Sequence, residues 1–169
     1  MSAPSRQLVV IAHDIRSTHN VGALLRTCEG LGVERLYFTG YTPYPPLPAG
    51  DPRLPHLAQK LGRQIAKTAL GAETTQAWST HLDVLALLRQ LQADDFQLVA
   101  LEQSDGSTPL PDFHPAARVA LLLGREVEGI APELLAACDR LLEIPMFGHK
   151  ESFNVVQAAA MALYQLRFA

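Results

Sequence analysis

No stretch of this 169-residue chain is apolar for long enough to cross a membrane as a helix. Cysteine is nearly absent. Cys28 and Cys138 stand alone, with no Cys-x-x-Cys pair and no Cys/His grouping at zinc spacing. That excludes a disulfide framework and a structural zinc site, and both thiols are expected to be reduced and buried in helices. The histidines are scattered, so no metal is expected. Basic excess is missing too: the net charge is −3, which weighs against a general electrostatic grip on nucleic acid but leaves room for a local patch. The opening MSAPSRQLVVIAHD carries one Arg, and His13 and Asp14 interrupt its apolar run. It is too short for a secretory signal, and the expected location is the cytoplasm.

What the chain does have is a globular composition, 48% hydrophobic and 18% charged, without repeats or low-complexity tracts. Its length suits one domain over residues 1–169 with a substantial core. Apolar runs alternate with helical patterns. Strands are expected at 7–12, 35–39, around 74–78, at 96–101, 118–123 and 141–144. Helices are expected at 21–31, 56–70, 81–93, from Pro132, and from about Ser152 to Phe168. The Pro-rich stretch 41–55 can be neither helix nor central strand, and a loop of that length usually has a function. The alternation predicts an α/β fold with a mainly parallel sheet and helices on both faces. Ligands in such folds sit at the carboxyl ends of strands.

Three clusters fall at such ends. In NVGALLR (20–26), Asn20 is placed to cap a helix starting at Val21. Arg26, among Leu24, Leu25 and Cys28, either snorkels outward or points into a polar pocket. LLLGREVEGI (121–130) is neither a dinucleotide glycine motif nor a Walker loop. It reads as a simple turn, or as a place where a ligand approaches Gly124, with Glu126 accepting hydrogen bonds. In IPMFGHKESFNVV, Glu151, Ser152 and Asn154 precede an apolar helix. Capping alone accounts for one of them, and a polar ligand site for all. A fourth grouping, Arg53, Lys60, Arg63 and Lys67, is either a solvated helix face or a basic patch.

NVGALLRT, LLLGREVEGIAPELL and IPMFGHKESFNVVQAAAMALY resemble, in order, the three motifs of the SpoU/TrmH family of RNA 2'-O-ribose methyltransferases, within the SPOUT superfamily. Arg125 stands where Asn or Pro is common, Val127 where Gly is common, and Phe153 where Leu or Met is usual. The resemblance implies a C-terminal trefoil knot (the alpha/beta knot) and a pocket for S-adenosyl-L-methionine lined by Leu101, Gly124, Ile144, Met146 and Phe153. It implies a homodimer with the final helix in its interface. It also implies methylation of a ribose 2'-hydroxyl, with Arg26 holding a phosphate and polarising the hydroxyl. Asn20, Glu126, Ser152 and Asn154 would position ribose, arginine and cofactor. RNA would lie along residues 53–67 and the Pro-rich loop, beside Arg16. The chain resembles the minimal form, without an added RNA-binding domain, and transfer RNA is favoured over ribosomal RNA. Competing readings are a knotted base methyltransferase, an inactive RNA-binding module and a flavodoxin-like nucleotide binder.

Overall fold

The computed structural model describes residues 6–169. Seven strands are ordered β3-β2-β1-β6-β4-β7-β5, and every neighbouring pair is parallel. They are β1 (Gln7–His13), β2 (Arg35–Thr39), β3 (Trp78–His81), β4 (Gln97–Leu101), β5 (Thr108–Pro109), β6 (Arg118–Leu123) and β7 (Arg140–Glu143). The helices are α1 (Thr18–Gly30), α2 (Pro55–Ala69), α3 (Ala72–Thr75), α4 (Val84–Ala93), α5 (Pro132–Ala136) and α6 (Val155–Phe168).

Side-chain alternation divides the core between the two faces. Leu8, Val10 and Ala12 of β1 pack with Val119, Leu121 and Leu123 of β6 under α1, α2 and α6. Val9 and Ile11, with Ala120 and Leu122, pack under α4 and α5. Both strands are covered on both sides, which is why they read as unbroken apolar runs. Each fully buried Leu or Ile there contributes about 1.5–3 kcal/mol. Cys28 is buried in the first core and Cys138 half-buried beside the second; both are free thiols. Burial pushes the Cys28 thiol well above its ordinary range and Cys138 up to about 12.

Four boundaries differ from expectation; one is the helix expected at 81–93, which starts at Val84 after the Asp83 cap. The strand expected around 74–78 is the short helix α3, and β3 begins at Trp78. Glu73 Oε2 accepts from Gly71 N at 2.9 Å and Thr74 Oγ1 donates to Gly71 O at 2.8 Å, holding the turn helical. Helix α1 starts earlier than Val21: Ser17, not Asn20, is its N-cap and accepts from Asn20 N at 3.2 Å. Helix α6 starts at Val155, not Ser152, because Asn154 caps it by accepting from Val156 N at 2.9 Å.

The chain ends are tied together. Arg167, buried on α6, donates to Leu31 O, Gly32 O and Arg6 O. Arg6 in turn donates to Leu166 O and Ala169 O. Among the described residues no helix is long and apolar enough to cross a membrane.

Candidate active site

A cleft of ≈ 500 Å³ opens where the ends of β4, β6 and β7 meet the start of α6. That volume suits a small ligand. Leu101, Gly124, Ile144, Met146 and Phe153 line it, as do Glu126, Ser152 and Asn154. Ile130 packs directly on the backbone of Gly124, where a Cβ would lie 2.4 Å from Ile130 Cγ1. Glu102, which the sequence reading missed, secures the β6 loop by accepting from Ile130 N at 2.8 Å. Gly129 N donates to Arg125 O at 3.2 Å, closing the loop on itself. Val127 projects outward at 91% exposure, so a side chain there leaves the loop undisturbed. The walls carry Glu102, Glu126, Glu143 and Glu151 against one cation, Arg125.

Residues from three distant segments form a hydrogen-bonded run at the cleft edge. Asn20 Nδ2 donates to Glu126 Oε1 at 3.3 Å, and Asn154 Nδ2 donates to Asn20 Oδ1 at 3.3 Å. Its direction is fixed at both ends: the carboxylate of Glu126 only accepts, and the backbone N–H of Val156 only donates. Asn20 is available for this because Ser17 caps α1 in its place.

The structure does not bring every expected residue to the cleft. Arg26 is exposed and lies in a separate shallow depression with Ala23, Thr27, Lys67, Thr68 and Leu70. Six residues along a helix from Asn20 is about 9 Å of rise and a different face, so one subunit keeps the two apart. Arg53 is not a free cation. It pairs with Asp51 (2.7 Å), stacks 3.6 Å above the Tyr44 ring centroid, and donates to Tyr44 O and Pro45 O. It pins the Pro-rich loop. Lys60, Arg63 and Lys67 do share one exposed face of α2, and Arg16 is exposed at the end of β1.

Comparison with known proteins adds the following. The SpoU rRNA Methylase family matches residues 53–164. The 23S rRNA (guanosine-2'-O-)-methyltransferase RlmB of Bordetella pertussis is 29% identical over 94% of this chain and 58% of its own. The tRNA (guanosine(18)-2'-O)-methyltransferase of Escherichia coli K12 is 27% identical over 94% of this chain and 62% of its own. The chain thus spans about three fifths of the length of these relatives. Among solved structures, the A. aeolicus TrmH/SpoU tRNA modifying enzyme superposes with a TM-score of 0.75 at 25% identity, covering 98% of this chain and 77% of that one. The AdoMet-bound rRNA methyltransferase of Sinorhizobium meliloti gives 0.79 at 22% identity, over 95% of this chain and 56% of that one. A match over most of the chain, on the segments that build the cleft, places this protein in the SpoU rRNA methylase family.

Proposed function

We propose that this chain is the catalytic unit of a cytoplasmic RNA methyltransferase acting on a ribose 2'-hydroxyl, with S-adenosyl-L-methionine as donor. Transfer RNA is the favoured substrate and ribosomal RNA the alternative. The observation that carries this reading is the Glu126–Asn20–Asn154 run along the edge of the cleft. The cleft suits the donor. Leu101, Ile144, Met146 and Phe153 offer apolar surface to an adenine ring, and Gly124 lines the same cleft. The excess of carboxylates on its walls favours a sulfonium cation.

Bound there, the donor supplies an electrophilic methyl group. The chain's own residues align the acceptor and manage its proton. Asn20, Glu126 and Asn154 hold one another and orient the ribose, with the Ser152 hydroxyl at the same wall. A guanidinium stays protonated and is a donor only, so it is no base. Arg26 therefore grips the neighbouring phosphate and polarises the hydroxyl. The 2'-oxygen would take the donor's methyl, and Arg26 would steer the hydroxyl proton to that phosphate.

Because Arg26 lies outside the cleft of its own subunit, it serves the cleft of a second copy. The dimer forms through α6, which leaves Gln157, Met161, Tyr164 and Phe168 exposed along one stripe. The segment after β7 threads as a trefoil knot. In support, β4 sits between β6 and β7, and the chain after β7 returns over β4 to pack α6 on α1.

The test is transfer of labelled methyl from S-adenosylmethionine to unmodified RNA, with nucleoside analysis of the product. A base-methylated product, or none, overturns the reading. Arg26→Ala should abolish turnover while cofactor binding by calorimetry persists. Mixing inactive Arg26→Ala with inactive Asn154→Ala should restore activity, since one mixed site is intact. No recovery would place Arg26 in its own subunit's chemistry.

A further inference from the structure

Two loops at the carboxyl ends of β1 and β2 are locked together more firmly than a connection requires. Asp14 has φ 56, in the left-handed region that costs a non-glycine residue energy, and Gly40 opposite has φ 61. A Cβ on Gly40 would lie 1.8 Å from Asp14 Oδ1, so only glycine fits. The Asp14 carboxylate is turned inward at 19% exposure and accepts from Tyr41 N at 3.0 Å. Thr42 is buried, donating to Ala12 O at 2.9 Å and accepting from Ile15 N at 3.0 Å. The lock has one product on the surface. It holds Tyr41 out at 49% exposure, with the Arg16 guanidinium 5.8 Å from its ring centroid.

Core packing does not account for this ring. Phe38, three residues earlier, fills the apolar interior at 1% exposure, whereas Tyr41 is held in water by a strained and buried scaffold. The neighbouring charge is of the sign a phosphate chain needs. Thr68 Oγ1 donates to His19 O at 2.8 Å, tying the end of α2 to the first turn of α1, three residues from Arg16. Lys67, beside Thr68, shares its depression with Arg26, and Arg63 and Lys60 continue the stripe up α2. A rigid exposed aromatic flanked by arginine is the equipment that stacks an unpaired base.

We propose that Tyr41, with Arg16, is a stacking platform for one unpaired base of the RNA, lying outside the methyl-transfer cleft. This rests on the reading of the protein as an RNA-binding enzyme. The platform makes the protein prefer a loop or a splayed strand to a continuous duplex, because only an unstacked base offers its face.

The test measures anisotropy of a labelled unpaired RNA 12-mer and of a duplex of equal length, at one fixed salt concentration. Tyr41→Ala should bind the unpaired strand roughly tenfold more weakly, within the range for loss of one base stack, and the duplex within twofold of wild type. Tyr41→Trp and Tyr41→Phe should recover binding. A 2-aminopurine in the strand should be quenched by wild type and not by Tyr41→Ala. Two outcomes overturn the platform: equal binding of the unpaired strand by Tyr41→Ala, or equal loss for both RNAs. Binding weakened by a Lys60→Ala/Arg63→Ala/Lys67→Ala variant but unchanged in Tyr41→Ala removes the platform alone. Failure of wild type to bind either RNA removes the RNA reading with it.

Discussion

Asn20 shows how much one side chain can decide. Its amide faces a carboxylate on one side and an amide on the other, so both of its ends are used. Asn20→Ala should lower kcat/KM about tenfold, the order of one lost hydrogen bond to a charged group. Asn20→Asp should cost roughly tenfold more at neutral pH, because it sets a second anion 3.3 Å from Glu126. Steady-state kinetics of the two variants side by side checks it. From the sequence, Asn20 looked like the cap of a helix starting at Val21. Only the position of the helix start, set by Ser17, reveals that Asn20 has another task. Arg53 was misread for a related reason. Asp51, two residues before the basic run begins, pairs with Arg53. Arg26 was legible as unusual, and its six-residue spacing already set it on a different side of α1 from Asn20.

At the level of elements, cap and cleft can be separated. Ser17→Ala should destabilise the protein by about 1 kcal/mol and lower methyl transfer less than Asn20→Ala does, since the Ser17 hydroxyl bonds the backbone N–H of Asn20 and not its side chain. Thermal melts and activity at a permissive temperature check both halves. The exposed stripe of α6 carries the opposite expectation. On the dimer proposed above, Met161→Asp with Tyr164→Asp should yield a folded monomer in sedimentation and lose turnover, since a lone subunit would lack the second copy's Arg26. The long parallel strands were readable because burial on both faces leaves no polar interruption in β1 or β6. The region 72–81 was not. Residues Ala72–Thr75 are held helical by local side-chain bonds that outweigh the weak strand preference of threonine. The two-residue β5 has no pattern to detect; it exists through pairing with β7.

Across the whole molecule, Arg167 joins β1, the end of α1 and α6 through three carbonyls. Arg167→Leu leaves those carbonyls unpaired and should cost about 2–4 kcal/mol in urea unfolding. Arg167→Lys should recover only part, since an ammonium lacks the fork geometry. Stability should also fall in two stages on acidification. Burial holds His13 and His81 below the ordinary imidazole value of 6.5, with Asp14 opposing the shift at His13. The unfolded chain therefore takes up protons there before the folded one does, so stability declines as pH drops below about 6.5. His13→Gln should flatten that limb. Asp51, held far below its usual 3.8 chiefly by its hydrogen bonds from Arg53, adds a second decline that begins only under that value.

The sealed position of Cys28 has a practical corollary. Its sulfur reacts as a thiolate, and the folded core both hides it and resists the ionisation. An alkylating reagent can mark it only during moments when α1 lifts from the sheet. The pace of that marking is a stopwatch on the breathing of the helix that carries Asn20 on one side and Arg26 on the other.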